Sequence, residues 1–415
     1  MPIRSQAVPH AILKPLAVLA GLAVGGSAFA QQSPWYIGVS QGFTHYSNVY
    51  RQGAGQETSD TVSSTGVLGG LNLELGRQRV YADFTANSNR YQDQEQQNNN
   101  SYSLSTGLDW QTIEHLSGSV RLTGRRNLGD YGVGTLPAYG VTTPVRNVET
   151  IRQASASVRY AMLSYLAFTG GVSDSELKYS FTTERDSRSR SANAGLVYGT
   201  PGSVLNLGVS GRVTKGETPR YRQLLDPLFP SLGFGPVEPD ESDRKDIDFT
   251  AIWTASALST ITGRISATRE DHTAPSRSDF SGVTGEVEWS YKPSDKLAVQ
   301  AVISRDTGSQ TTFTRLQSTD PFPIMADQNR INWVFGVDAN YALTAKISLN
   351  GSVQHTRGDV DVVGGRTYES RSSQFALGAN YQVLRTVSLG CNLTRETRGS
   401  YGANVAGCSA QFVLR

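Results

Sequence analysis

Cysteine is nearly absent, with 2 residues in a chain of 415, and histidine is rare, with 5. So small a supply of thiolate and imidazole ligands excludes a clustered Cys/His metal site, and neither an HExxH pair nor a phosphate-binding glycine loop occurs. No metal or cofactor is therefore expected. Long apolar runs are missing too. The one sustained stretch, Leu16 to Val24, is far shorter than the roughly 20 residues a membrane helix needs, and no long helical pattern follows it. The formal charge is only +2, which removes the basic surface that a nucleic-acid partner demands. Acid/base chemistry has thin candidates in His355 beside Asp359 and Asp361, or His272 beside Glu270 and Asp271. Charged loop residues next to a lone histidine are ordinary, and no enzyme is expected.

What is present begins with an address. Arg4, His10 and Lys14 form a basic opening, Leu16 to Val24 an apolar middle, and Ala28-Phe29-Ala30 a small-x-small cleavage site. Residues 1–30 are expected to be a cleavable export signal, with the mature chain starting near Gln31. Without its two basic residues, the remainder carries 36 basic and 36 acidic side chains.

From Trp35 to Leu414 the chain repeats a period of two. Ile331, Trp333, Phe335, Val337, Ala339 and Tyr341 make one apolar face, while Asn332, Gly336, Asp338 and Asn340 make the other largely polar. Such segments recur almost throughout, and their apolar faces need a common apolar environment. Lipid outside a closed barrel supplies it. The expected fold is all-β, a transmembrane antiparallel up-and-down barrel over residues 31–415, in the outer membrane of a Gram-negative bacterium. The competing reading is an array of soluble β-sandwiches, which would need linkers that the chain does not show. Strand centres fall near Val39, Gly69, Phe84, Thr106, Leu122, Ala156, Gly170, Ala194, Val209, Ala251, Ile265, Gly285, Ala301, Phe335, Gly351, Leu377, Leu389 and Ala410. That gives about 18 strands, with 16 as the alternative, and an even number puts both ends on the periplasmic side.

Short turns carry a common mark. Tyr291, Tyr341 and Tyr381 each precede a six-residue turn sequence, and Tyr160 and Tyr198 stand just before turns in the same way. An aromatic ring at the end of a lipid-facing row suits the interface, where its hydroxyl reaches water, so these turns are expected to be periplasmic. The other connections are long and polar: Ser47 to Ser59, Gln92 to Asn100, Gly129 to Val148, Lys215 to Arg244 and Thr307 to Gln328. Lys215 to Arg244 mixes five prolines with Leu224, Leu225, Leu228, Phe229, Leu232 and Phe234, which suggests a segment folding inward or capping a pore; a surface loop packed on its neighbours is the alternative.

Strand parity also selects lumen candidates. Arg121, Arg125, Arg159, Arg212 and Arg264 alternate with apolar residues, as do Asp246, Asp248, Glu286, Glu288 and Asp338. The bases lie mostly on earlier strands and the acids on later ones, an order that would set up a field across the pore; solvated charges that balance one another are the alternative. Neither version gives the strongly basic lining expected for a highly anionic polymer. Cys391 and Cys408 sit on the last two segments, and a turn near Gly399 and Ser400 would place them opposite each other, close enough for a disulfide in the oxidising periplasm. Two small residues in a packed outer face are the alternative.

The segment Tyr36-Ile37-Gly38-Val39-Ser40-Gln41-Gly42-Phe43-Thr44-His45-Tyr46-Ser47-Asn48-Val49-Tyr50-Arg51 resembles the first strand of the EpsL-type outer-membrane barrel proteins encoded with exopolysaccharide biosynthesis genes. Tyr46 stands where that family usually has Asp. Cys408-Ser409-Ala410-Gln411-Phe412 is similar to the family's last strand, although the chain ends Phe412-Val413-Leu414-Arg415 without a terminal aromatic. The resemblance implies a channel in exopolysaccharide export, with the polysaccharide, periplasmic secretion proteins, the barrel-assembly machinery and outer-membrane lipid as partners. A diffusion porin for small solutes and a structural or adhesive surface barrel remain the other classes.

Overall fold

The computed structural model describes residues 33–112, 115–129, 145–200, 202–222, 235–275, 277–307, 330–362, 366–399 and 401–415. The expected signal and the centres of three long connections, 130–144, 223–234 and 308–329, lie outside the described residues. The apolar and proline-rich middle of the Lys215 to Arg244 segment is among them.

The described chain runs through β1 (Trp35–Tyr46), β2 (Asp60–Leu75), β3 (Gln78–Tyr91), β4 (Asn99–Gln111), β5 (Leu116–Leu128), β6 (Val148–Leu163), β7 (Leu166–Tyr179), β8 (Ser187–Tyr198) and β9 (Leu205–Thr218). It continues through β10 (Asp240–Ser256), β11 (Ser259–His272), β12 (Phe280–Ser294), β13 (Leu297–Thr307), β14 (Arg330–Ala342), β15 (Ile347–Val362), β16 (Arg366–Leu384), β17 (Val387–Arg398) and β18 (Tyr401–Leu414). Every strand pairs antiparallel with its neighbours in sequence, and β1 also pairs with β18. The sheet is therefore a closed 18-stranded barrel, not a 16-stranded one and not a set of sandwiches. Each strand centre expected from the alternation falls inside one of these strands.

The alternation decides which way the sheet curls. On β14, Trp333, Phe335, Val337 and Tyr341 are 38–46 % exposed, whereas Val334, of the opposite parity, is 1 % exposed. Large apolar residues thus point outward all round the ring, including Ile37, Phe84, Leu122, Val172, Phe249 and Leu377. A belt of that extent on a closed sheet is a lipid-facing surface, and closure leaves no strand edge with unpaired backbone groups.

Tyr160, Tyr198, Tyr291, Tyr341 and Tyr381 all share the outward parity and stand beside the short connections. Tyr165, Trp253 and Trp289 extend the same rim, Trp289 stacking on Tyr291 at 5.3 Å and Tyr165 meeting Tyr198 edge-on at 5.7 Å. Both β1 and β18 have their outer ends at this rim, where Ile37 lies opposite Leu414. At the other rim the ladders climb higher than the sequence suggested. β9 reaches Thr218 and β10 starts at Asp240, so both ends of the segment expected as a loop from Lys215 to Arg244 are paired strand. Backbone pairing continues there because it needs no apolar side chain, only a partner. Cys391 and Cys408 are direct partners in the β17–β18 ladder on the outer face, 4.1 Å apart at Cα and joined by a disulfide.

Val337 lies midway between Tyr341 and Trp333 on one outward row, so Val337→Arg puts a charge near mid-membrane. It should cost roughly 2–4 kcal/mol, while Asn340→Arg, which points into the lumen, should leave the folded band intact in heat-modified gel mobility. Equal loss in both variants would refute the orientation. For the disulfide, mass spectrometry of an unreduced digest should find the Cys391 and Cys408 peptides linked.

Candidate functional site

The inner face is built in three parts, and the first rests on glycines placed beside aromatic residues. In the β1–β2–β3 ladders Tyr36, Gly70 and Asp83 form one row, and Tyr36 Oη donates to Asp83 Oδ1 at 2.8 Å across the glycine. One strand pair further, Tyr81, Gly107 and Arg121 repeat the device, Arg121 Nε donating to Tyr81 Oη at 2.9 Å. Any Cβ at Gly70 or Gly107 would collide with the tyrosine ring lying over it. The missing side chain is what lets each ring span a strand. Close by, Arg125 meets Glu149 at 3.4 Å, and the same carboxylate accepts from Tyr179 Oη at 3.1 Å. Arg159 occupies an inward position between Ser117 and Thr169, near the short-turn rim.

The second part is a continuous ion-pair wall on β9 to β13. Buried Arg244 is at its centre, with Nη2 3.0 Å from Asp246 Oδ1 and Nη1 2.9 Å from Asp306 Oδ1 and 2.8 Å from Thr307 Oγ1. Thr307 in turn donates to Glu270 Oε2 at 2.8 Å, and Thr268 to Asp246 Oδ1 at 2.6 Å. Arg212 bridges Asp246 at 3.2 Å and Asp248 at 3.3 Å, and Arg264 lies 3.7 Å from both Asp248 and Asp306. Above them His272 Nδ1 is 3.1 Å from Asp240 Oδ2, which also binds Arg277, and His272 Nε2 is 3.6 Å from Glu270. Glu286 stands directly opposite Arg264 in the next ladder. Five carboxylates, from Asp240, Asp246, Asp248, Glu270 and Asp306, are thus interleaved with four guanidiniums and an imidazole. Burial without such pairing would be prohibitive.

The third part lies at the rim opposite the short turns. After β1 the chain turns inward, and Asn48 and Val49 are fully buried, with Tyr50 and Arg51 nearly so. Asn48 Nδ2 donates to Gln52 O at 2.8 Å and Gly402 O at 3.2 Å, and Tyr50 Oη to Gln94 at 2.6 Å. Val49 and Tyr50 pack with Val62, Tyr91, Leu128 and Val148. Arg51 adopts a left-handed backbone at φ 50° and reaches Glu396 on β17 at 3.3 Å, tying the first connection to the last hairpin.

These positions correct the expected division of charge. Arg212 and Arg264 sit among Asp246 and Asp248 on adjacent strands, so the bases and acids there neutralise one another on one wall instead of facing each other across the pore. Arg121 and Arg125 on β5 are half the ring away from inward-facing Asp338 on β14, which lies between Gln300 and Ser352. Glu288 is opposite Thr262 on the acidic side. Arg244, Asp306, Asp240 and the Arg51–Glu396 pair were not foreseen. For Arg244 a signal existed, because it keeps parity with Asp246 and Asp248. Of the two histidines, His272 belongs to the ion-pair wall, whereas His355 faces outward beside Phe335 and bonds Ser373 Oγ at 2.8 Å.

No family model and no curated protein matches the chain. Among solved structures it is similar to the outer membrane protein OpdK of Pseudomonas aeruginosa, at 11 % identity and a TM-score of 0.45 over 92 % of this chain and 98 % of that one. OpdQ of the same organism gives 10 % and 0.46 over 92 % and 97 %, and the FrpB iron transporter of Neisseria meningitidis 10 % and 0.41 over 89 % and 63 %. At such scores the likeness assigns neither a family nor a substrate.

Arg244→Ala would strand Asp246, Asp306 and Glu270 without their common cation. Loss of one member of a buried cluster should cost about 3–5 kcal/mol, whereas removing Arg152, an exposed outer-face partner of Glu176, should cost about 0–1 kcal/mol. Denaturant titration of the folded band in detergent reports both.

Proposed function

We propose that the protein is an outer-membrane channel that lets small polar solutes diffuse between the periplasm and the exterior. The observation that carries this reading is the closed 18-stranded barrel with an apolar outside and a charged, hydrogen-bonded inside. Barrels of about 16–18 strands leave an aqueous lumen when loops do not fill it. Short turns along one rim and long connections along the other support the expected orientation, with the short turns in the periplasm.

Two features favour small solutes over a polymer. Asn48 to Arg51 are buried at the rim of the long connections, with Arg51 held to Glu396, and the inner wall holds fixed, mutually neutralised charges rather than a one-sign track. Exopolysaccharide export is the second reading, supported by the resemblance of Tyr36 to Arg51. Within that stretch, Asn48, Val49, Tyr50 and Arg51 are buried in the mouth, which gives the motif a structural role that either cargo would tolerate. Polysaccharide and periplasmic secretion proteins would be partners only under export; lipid and the assembly machinery are partners under both.

Purified protein in planar bilayers should give stable single-channel conductance, and liposomes carrying it should swell in monosaccharide-sized solutes. Absent conductance would move the protein to the structural or adhesive class. Reduced exopolysaccharide release in a deletion strain would favour export.

A further inference from the structure

Four arginines gather on the outer face of β13 to β17, two of them directly opposed. Arg305, Trp333, Arg357 and Arg371 occupy one straight register row across β13, β14, β15 and β16, all with outward parity. Arg357 and Arg371 are direct cross-strand partners, an arrangement of like charges that destabilises a sheet by itself. Both lean on a single carboxylate, Glu369, which Arg357 Nε approaches at 2.9 Å and Arg371 Nε also contacts. Arg305 lies 5.7 Å above the Trp333 ring and donates to Val283 O. Arg395, outward on β17 beside Phe375, donates to Asn404 at 3.3 Å. Elsewhere on the outer face an arginine can face a carboxylate directly, as where Arg152 is the register partner of Glu176 and lies 3.7 Å from it.

The surface beneath is as specific as the charges. Trp333 stacks on Phe335 at 6.2 Å, and the rows below hold Val337, Val353 and Phe375, all open to the outside. The row therefore marks where the apolar belt ends, on the rim opposite the tyrosine turns. A ligand that fits must carry a negative charge for the arginine forks and hydrocarbon for the rows below. Phosphate is suited to the planar, multidentate guanidinium, and acyl chains are suited to the aromatic and branched surface.

Resting on the membrane reading above, we infer that the Arg305–Arg357–Arg371–Arg395 face binds the phosphate of an acylated, phosphorylated glycolipid of the outer leaflet. The lipid supplies a second anion beside the one carboxylate, Glu369, that the opposed arginines share. In doing so it fixes the height and rotation of β13 to β17 in the membrane.

The test uses the full mature barrel in neutral detergent, with bisphosphorylated lipid A and enzymatically dephosphorylated lipid A as probes and native mass spectrometry as the readout. The wild type should hold the phosphorylated form, with about tenfold or greater weakening when the phosphates are removed. R357Q/R371Q should lose a similar factor toward phosphorylated lipid A while R152Q, at an arginine that directly faces Glu176, keeps wild-type binding, each variant first shown to be folded by heat-modified mobility. Equal retention of both lipids by the wild type, or unchanged binding in the double variant, overturns the inference. Single-channel conductance of the same preparations separates the two ideas. A protein that conducts without phosphate-dependent binding defeats the lipid site alone, and one that does not conduct defeats the channel.

Discussion

Ring closure between β1 and β18 is the constraint on which everything else depends. In hydrocarbon an unpaired N–H or C=O costs several kcal/mol, so a strand edge left open there would be untenable. Closure removes the edge, and the period-two alternation then has only one consistent solution: apolar parity outward, polar parity inward. A one-residue slip in any ladder would reverse that strand's faces and expose a row such as Arg244, Asp246 and Asp248 to lipid. The charged lumen residues thus also specify register.

Closure also brings together parts of the chain that local pairing cannot. Arg51 and Glu396 are separated by 345 residues, yet they are neighbours because the first and last strands are. The buried turn from Asn48 to Arg51 is held at both ends by this joint, and the strained backbone at Arg51 is tolerable because its side chain is fixed by a buried carboxylate. On the other wall, Arg244 ties β10 to β13 through Asp306 and so braces a region where the strands stand clear of the apolar belt. Both devices stiffen the same rim of the barrel, the one bearing the long connections.

The outer surface obeys the same physics with a different solvent at each height. Aromatic residues crowd the short-turn rim, apolar side chains fill the middle, and arginines appear where the middle ends. Arg152 faces Glu176 there directly, whereas Arg357 and Arg371 face each other and share the single carboxylate of Glu369.

Much of this was legible in the sequence because it is a local property. Period two located every strand, the parity of Arg121, Arg125, Asp246 and Asp248 put them inside, and the tyrosines before short turns marked one rim. The facing of Cys391 and Cys408 followed from a single hairpin. Strand ends were harder, since the ladder above the membrane continues through polar residues such as Lys215, Asp243 and Arg244 that look like loop. Which charges meet was beyond the sequence. Arg212 finds Asp248 36 residues away through the register of β9 on β10, and an arginine counted as one wall of a dipole turns out to neutralise its neighbour. Alternation fixes the side to which a residue points because it depends only on the backbone of its own strand. The partner that it meets depends on the stagger between strands and on closure of the whole ring, which only the tertiary structure decides.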